Sequence, residues 1–485
     1  MGRRVLCGLL ATGLVVFFAP AAARAATGTA VCGQLPAGVT TWTALGSPYQ
    51  ICGAGVTVPS GSTLRIDALA GEVDVTQVAN GYGLTVVGAI ETANTLTGRG
   101  AVLDTPIRVH GAAGTANYYA AGSVDLSDAE LAGGVSGQVD SLVLSRVHSD
   151  GAMYWISAKS SSVTDSTFVL PTCGHSAGEF VLNDAVTQPS QDDTVSFVGN
   201  EVHGCAVWIQ SADLTVSNNR VDDVPADPAI NIAGDHYTLG VGGSVSGNTG
   251  ANDAITAMNL FGEEQGSFTW RGIPDTSDAE QPLGDLSTNG LTAQGPAAVV
   301  TVPAGTAVYA GQLGMAGAIL DASAGGARFE CRPQSPPVAC HTRLTVGMPA
   351  GTDQAGLRIN NGYVDGTIDA TGTATTAATV DINDSTVTGG ISTSNTSMHI
   401  DGSTVGAVWA TDAGDTTVAN TTAPSIYAIA ANSGNITFSG DTVGPTQWAD
   451  PPLNANTWSG TAVITDNTVY GAGVAVHTGL VRPAV

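Results

Sequence analysis

Val195-Ser-Phe197-Val-Gly-Asn200-Glu-Val202 and Leu214-Thr-Val216-Ser-Asn-Asn219-Arg-Val221 carry one pattern twice: apolar residues at i, i+2 and i+7, and Asn at i+5. The first two apolar positions alternate as a half-buried strand requires, the Asn stands where a chain bends, and the last apolar residue resumes an inward strand. The same template fits Val124/Leu126/Ala129/Leu131, Asp140/Leu142/Ser145/Val147, Ser161/Val163/Ser166/Phe168 and Gly243/Val245/Asn248/Gly250. In the C-terminal half it fits Leu357/Ile359/Gly362/Val364, Val380/Ile382/Ser385/Val387, Met398/Ile400/Ser403/Val405, Thr416/Val418/Thr421/Ala423, Ile436/Phe438/Asp441/Val443 and Ala462/Ile464/Asn467/Val469. The starts at 380, 398, 416 and 436 are 18, 18 and 20 residues apart. A unit this short cannot bury its own apolar face, so copies must stack, and strand-only units of this length make a β-solenoid. An antiparallel sandwich also supplies short strands and turn residues, but its hairpins would not repeat a one-sided polar corner in fixed register.

The chain is all-β in this reading, and the pattern resembles the repeats of the pectate-lyase-like superfamily, of the exported bacterial type, a resemblance that implies a right-handed parallel β-helix. Composition agrees: 63 of 485 residues are Gly, 12% are charged and 5% aromatic, which suits narrow coils with many corners and does not suit a helical bundle. Residues 1–25, with Arg3 and Arg4 ahead of an apolar run and an Ala-rich end, have the three parts of a secretory signal. No later apolar run is long enough to span a bilayer as a helix. Loss of the leader leaves 12 basic against 41 acidic residues, a net charge of −29 that argues against nucleic acid as a partner. Six cysteines remain in an oxidising compartment, and the nearest-neighbour pairings are Cys32 with Cys52, Cys173 with Cys205, and Cys331 with Cys340.

Thr41-Trp42 followed by Val56-Thr-Val-Pro-Ser-Gly-Ser62 resembles Thr269-Trp270 followed by Val300-Thr-Val-Pro-Ala-Gly-Thr306, which marks a duplication. Two tandem modules follow, 26–265 with an N-terminal cap and 266–485. The segment around Pro59 is expected to cover the first end of the solenoid, since Pro is tolerated only at such edges.

Outward positions i+6 and i+8 decide where chemistry can sit. In the first module they place Arg146, Thr167, Glu201 and Arg220 in one column and His148, Val169, His203 and Asp222 in the next; in the second module the first column is Thr386, Thr404, Thr422, Thr442 and Thr468. His148, Glu201, His203, Arg220 and Asp222 are therefore the candidate catalytic residues. Carboxylates beside an imidazole and a guanidinium suit cleavage of a glycosidic bond by acid/base work, or removal of an α-proton beside a neutralised uronate. Tyr154, Trp155 and Trp208 are candidates to stack on sugar rings. The loop Asp222-Asp223-Val-Pro-Ala-Asp227 offers hard oxygen ligands for Ca²⁺ at Asp222, Asp223 and Asp227, in competition with a plain solvated turn. No other cofactor is indicated.

Two comparisons with families bear on activity. Polygalacturonase-like hydrolases carry Asn-x-Asp, Asp-Asp, His-Gly and Arg-x-Lys in that order, which resembles Asn183-Asp184, Asp192-Asp193, His203-Gly204 and Arg220-Val-Asp222 here. Asp184 and Asp192 stand too close for successive coils, and Asp222 replaces the Lys. Pectate-lyase-like enzymes combine calcium-binding carboxylates with an Arg or Lys base, for which Arg220 beside Asp222 and Asp223 is the candidate. The sequence thus points to an extracellular polysaccharide as partner, bound and in the enzymatic reading cleaved as by a lyase or glycoside hydrolase. The competing reading is a non-catalytic surface protein whose solenoids act as a stiff acidic spacer.

Overall fold

The computed structural model describes residues 28–478, except 94–99, 110–121, 171–179, 183–193, 271–284, 332–340, 445–451 and several stretches of one to five residues, among them 151–153 and 226–228. Forty-eight strands and one 3-10 turn, Ala44–Gly46, make up the regular structure of these residues. The quoted stretch stacks as its pattern requires. Strand Thr194–Val198 pairs in parallel with Asp213–Ser217, which sets Val195 on Leu214 and Phe197 on Val216. Past the corner, Glu201–His203 pairs with Arg220–Asp222. A third strand, Val207–Gln210, pairs with the first residues of Ile230–Thr238. Each coil here therefore has three strands, and each strand lies on its equivalent in the next coil. The sandwich is excluded because the strand pairings seen among the described residues run parallel, from Thr29–Gln34 on Tyr49–Val58 to Leu453–Thr457 on Val474–Thr478. The protein is a parallel β-helix.

The interior is filled by the alternate residues. Val195, Phe197, Val202, Leu214, Val216 and Val221 are all buried, within one core that runs from Leu35 to Ala455. Beneath the coils from 154 to 197 the filling is aromatic: Phe168 and Phe180 have ring centroids 4.6 Å apart, and Phe180 and Phe197 5.3 Å. Tyr154 belongs to this cluster, 5.0 Å from Phe168 and fully buried, so it points inward and offers no sugar a face.

Corners are held by side chains that bond one coil to the next. The Asn219 carboxamide accepts the Asn200 backbone N–H at 2.9 Å and donates to the Phe197 carbonyl at 2.8 Å. Asn248 does the same for Asn219 and Val216, at 3.1 and 2.9 Å. These amides are almost fully buried, so each polar atom needs its partner. In the C-terminal half smaller groups replace them: Ser403 Oγ accepts the Ser385 N–H at 3.1 Å, and Asp441 Oδ1 accepts that of Thr421 at 2.9 Å. The residue just before the corner residue has a positive φ in each templated coil, as in Asp128, Asp165, Gly199, Asn218, Gly247, Asn361, Asp384, Gly402, Asn420, Gly440 and Asp466. Asp, Asn and Gly are the types that enter this region at least cost. Gly199 (φ 71°) also has no room for a side chain, since a Cβ there would lie 2.6 Å from Asp165 Oδ1.

One coil breaks the sequence pattern and corrects its register. Leu142, not Asp140, stands opposite both Val124 and Ser161. The coil is therefore Leu142/Leu144/Val147/Ser149, with Val147 in the corner position that Asn fills elsewhere and Arg146 (φ 53°) in the left-handed one. His148 moves to the first outward column, opposite Glu130 and Thr167, and Asp150 takes the place in the second column expected for His148. Arg146 leaves the columns altogether. The threonine column of the second half stands as read: Thr386, Thr404, Thr422, Thr442 and Thr468 are paired in sequence.

Strand pairing runs on across the expected module boundary at 265/266. Ala257–Gln265 pairs with Asp285–Thr288 through its first residues and with Leu291–Thr301 through its last. The two matching indoles, Trp42 and Trp270, are both buried. The first described strands, Thr29–Gln34 and Val39–Thr43, pair onto Tyr49–Val58 and Thr63–Asp67, so Pro59 follows a strand one coil further in. A disulfide joins Cys32 to Cys52 across these coils, with Cα atoms 5.4 Å apart. Cys205 and Cys331 are also disulfide-bonded; Cys173 and Cys340, their expected partners, lie outside the described residues.

Candidate functional site

Two adjacent coils bring four of the five candidate residues together. Strand Glu201–His203 lies on Arg220–Asp222, so Glu201 faces Arg220 and His203 faces Asp222, while Val202 and Val221 anchor the pair from inside. His203 Nδ1 is 3.7 Å from Asp222 Oδ2, and its Nε2 is 3.9 Å from Glu201 Oε2. Arg220 Nε donates to the same Asp222 Oδ2 at 2.6 Å. Arg220 thus turns to the carboxylate of its own strand rather than to Glu201, the partner its column position implied.

Asp222 is the unusual member. Its side chain is 4% exposed, against 53% for Glu201, 52% for Arg220 and 29% for His203. Burial pushes its carboxyl above the ordinary aspartate value; Arg220 and His203 pull the other way, and the Asp223 charge adds to the rise. Its second oxygen, Oδ1, is buried with no hydrogen-bond partner. A carboxylate in this setting can orient an imidazole, while the imidazole's other nitrogen stays toward the exposed Glu201.

His148 does not join this group. It sits below Thr167 in the first column, two coils from Glu201, and its neighbour is Asp150 at 3.4 Å, both of them half exposed or more. Trp208 is half-buried on the third strand of the Glu201 coil and packs against the core. The Trp155 side chain, and Asn183, Asp184, Asp192 and Asp193 of the hydrolase-like order, lie outside the described residues. So does Asp227 of the proposed calcium set. Of its other two members, Asp222 accepts from Arg220 of its own strand, and Asp223 accepts an Asn252 amide hydrogen at 3.3 Å. Among the described residues no three His, Cys, Asp or Glu side chains are grouped to hold a metal ion, and no helix is long and apolar enough to cross a membrane.

Two acidic residues escaped the sequence reading. Asp128 binds Arg146 through both carboxylate oxygens, at 2.6 and 2.8 Å, which holds the carboxyl below its usual range. Asp150 occupies the column position of His203 and Asp222. The left-handed residue ahead of each corner is the signal that would have found Asp128, which is one of them; Asp150 carries no such signal, because Arg146 holds the left-handed position of its coil.

No family model, no curated protein and no solved structure matches this chain.

Proposed function

We propose that this chain is an exported protein of pectate-lyase-like design that binds an extracellular polysaccharide across the coils bearing Glu201, His203, Arg220 and Asp222, and cleaves it by proton transfer. The observation that carries the reading is the placement of His203 between an exposed and a buried carboxylate. In this reading Asp222 is a positioning residue that fixes the imidazole. His203 and Glu201 are the proton-transferring groups that reach solvent, and Arg220 meets a hydroxyl or carboxylate of the sugar. The leader-like residues 1–25 support export.

The test is a panel of neutral and uronic polysaccharides, with and without Ca²⁺, assayed for new reducing ends and for unsaturated ends. Unsaturated ends identify elimination; reducing ends alone identify hydrolysis. His203→Ala is expected to lower the rate by about 100-fold or more, within the usual range for a lost acid/base group. Silence of the wild-type protein across the panel would sink the enzymatic reading. It would leave the stiff spacer, which the continuous parallel ladder and the acidic composition favour.

A further inference from the structure

We infer a second carbohydrate site, separate from the charged coils, on an aromatic platform formed by Trp409 and Tyr427 in the C-terminal half. The two residues are opposite one another on successive coils, in strands Thr404–Ala413 and Ile426–Ala430. Their rings stack with centroids 4.1 Å apart and planes inclined by 17°. Trp409 is 52% exposed, although an indole gains most when buried. With Tyr427 against one face of the indole, the other face lies on the side of the preceding coil. There the opposite residue is Ser392, exposed and too small to cover a ring.

That geometry selects its ligand. A single flat ring, backed by another and open on one side, fits the C–H face of a pyranose, and does not form the facing walls of a cage for a quaternary ammonium. Hydrogen-bonding groups for sugar hydroxyls continue along the same row on the preceding coils, with Ser392 and then Asp369. Asp369 already holds Arg343 at 2.7 Å, a paired donor and acceptor on the same face. A nucleobase would also stack, but the net charge of −26 opposes its phosphates. The same charge opposes a polyuronate, so the ligand is a neutral glycan. The inference is independent of the Proposed function, since it needs no proton transfer and none of the residues at Glu201 or His203.

Native gel electrophoresis through hydroxyethyl cellulose, galactomannan, soluble starch or polygalacturonate tests it. The wild-type protein is expected to be retarded by at least one neutral polymer. Trp409→Ala should weaken that retardation at least tenfold, Tyr427→Ala several-fold, and Trp409→Phe less than either. Circular dichroism melts should be unchanged, because Trp409 lies outside the core. The dependence on Trp409 should persist in a His203→Ala background, which separates this site from the charged coils. Absence of retardation by every neutral polymer, or equal retardation of wild type and Trp409→Ala, overturns the proposal.

Discussion

The same position of the coil carries Glu130, His148, Thr167, Glu201 and Arg220 in the first half and Thr386, Thr404, Thr422, Thr442 and Thr468 in the second. One residue further on, the inward neighbours are mostly of one kind in both halves: Leu131, Phe168, Val202 and Val221 against Val387, Val405, Ala423 and Val443, all buried. The fold constrains the inside and the corner and leaves the outward face to function. One half has used that freedom for charge, the other for hydroxyls and a pair of aromatic rings. The corners differ in kind as well. Carboxamides bridge three successive coils around Asn219, where a hydroxyl, a carboxylate or a single Asn serves in the C-terminal half.

The strongest way to break this comparison is at the corners. Asn219→Ala removes four hydrogen bonds from a buried site, to Asn200 (two), Phe197 and Asn248. It is expected to cost about 3 kcal/mol, since orphaned buried groups carry their full desolvation penalty. Ser403→Ala should cost about 1 kcal/mol. Hydrogen exchange at the Asn200 and Ser385 amides reads the two corners separately, and equal protection losses would remove the distinction drawn between them.

Asp441 sharpens the contrast through pH. It occupies a corner that Asn fills at 200, 219, 248 and 467, its Oδ2 is buried without a partner, and burial pushes its carboxyl up to about 6. Because the folded value lies above the unfolded 3.8, the stabilisation it contributes is complete below about pH 4 and is lost as pH rises through 6. Asp441→Asn should therefore stabilise the protein at pH 7 by about 2 kcal/mol, with a carboxamide able to donate to the Val418 carbonyl as Asn467 does to Phe438. Thermal midpoints measured from pH 4 to 8 should fall for the wild type and stay level for the variant. A parallel fall in both proteins would assign the effect to other groups.

The smallest effect is expected on the outward face itself. Thr404→Glu, on an exposed position of the threonine column, should change stability by no more than about 0.5 kcal/mol in urea melts. A loss above about 2 kcal/mol would mean that the column is part of what holds the coils together.

Most of the fold was legible because inward alternation and a polar corner are both short-range signals. Val195 and Leu214 could be aligned by eye, and their strands stack in that register. The register of the Leu142 coil is hidden because Ser145 offers a polar corner two residues early, while apolar Val147 fills the true corner and Arg146 adopts the left-handed backbone that Asp, Asn or Gly adopts elsewhere. Its ion pair with Asp128 accompanies that substitution. At the site, the register brought Glu201, His203, Arg220 and Asp222 onto neighbouring coils, since columns follow directly from coil length. Burial of Asp222 was not legible, because an outward position in a strand says nothing of what the rest of the chain lays over it. Tyr154 failed for the opposite reason: an aromatic that was expected to face solvent packs with Phe168 and Phe180 instead.

Every corner bond described above reaches only the adjoining turn. Excising 385–402 would bring Asp384 to Ser403 and restore the same succession of left-handed residue, corner and inward strand. The number of turns is accordingly a free variable, and a chain of this construction carries its own ruler. The distance between the charged coils and the Trp409 platform can lengthen or shorten in whole steps of about 4.8 Å while each surface keeps its local geometry, so the spacing of the two surfaces can evolve apart from the chemistry of either.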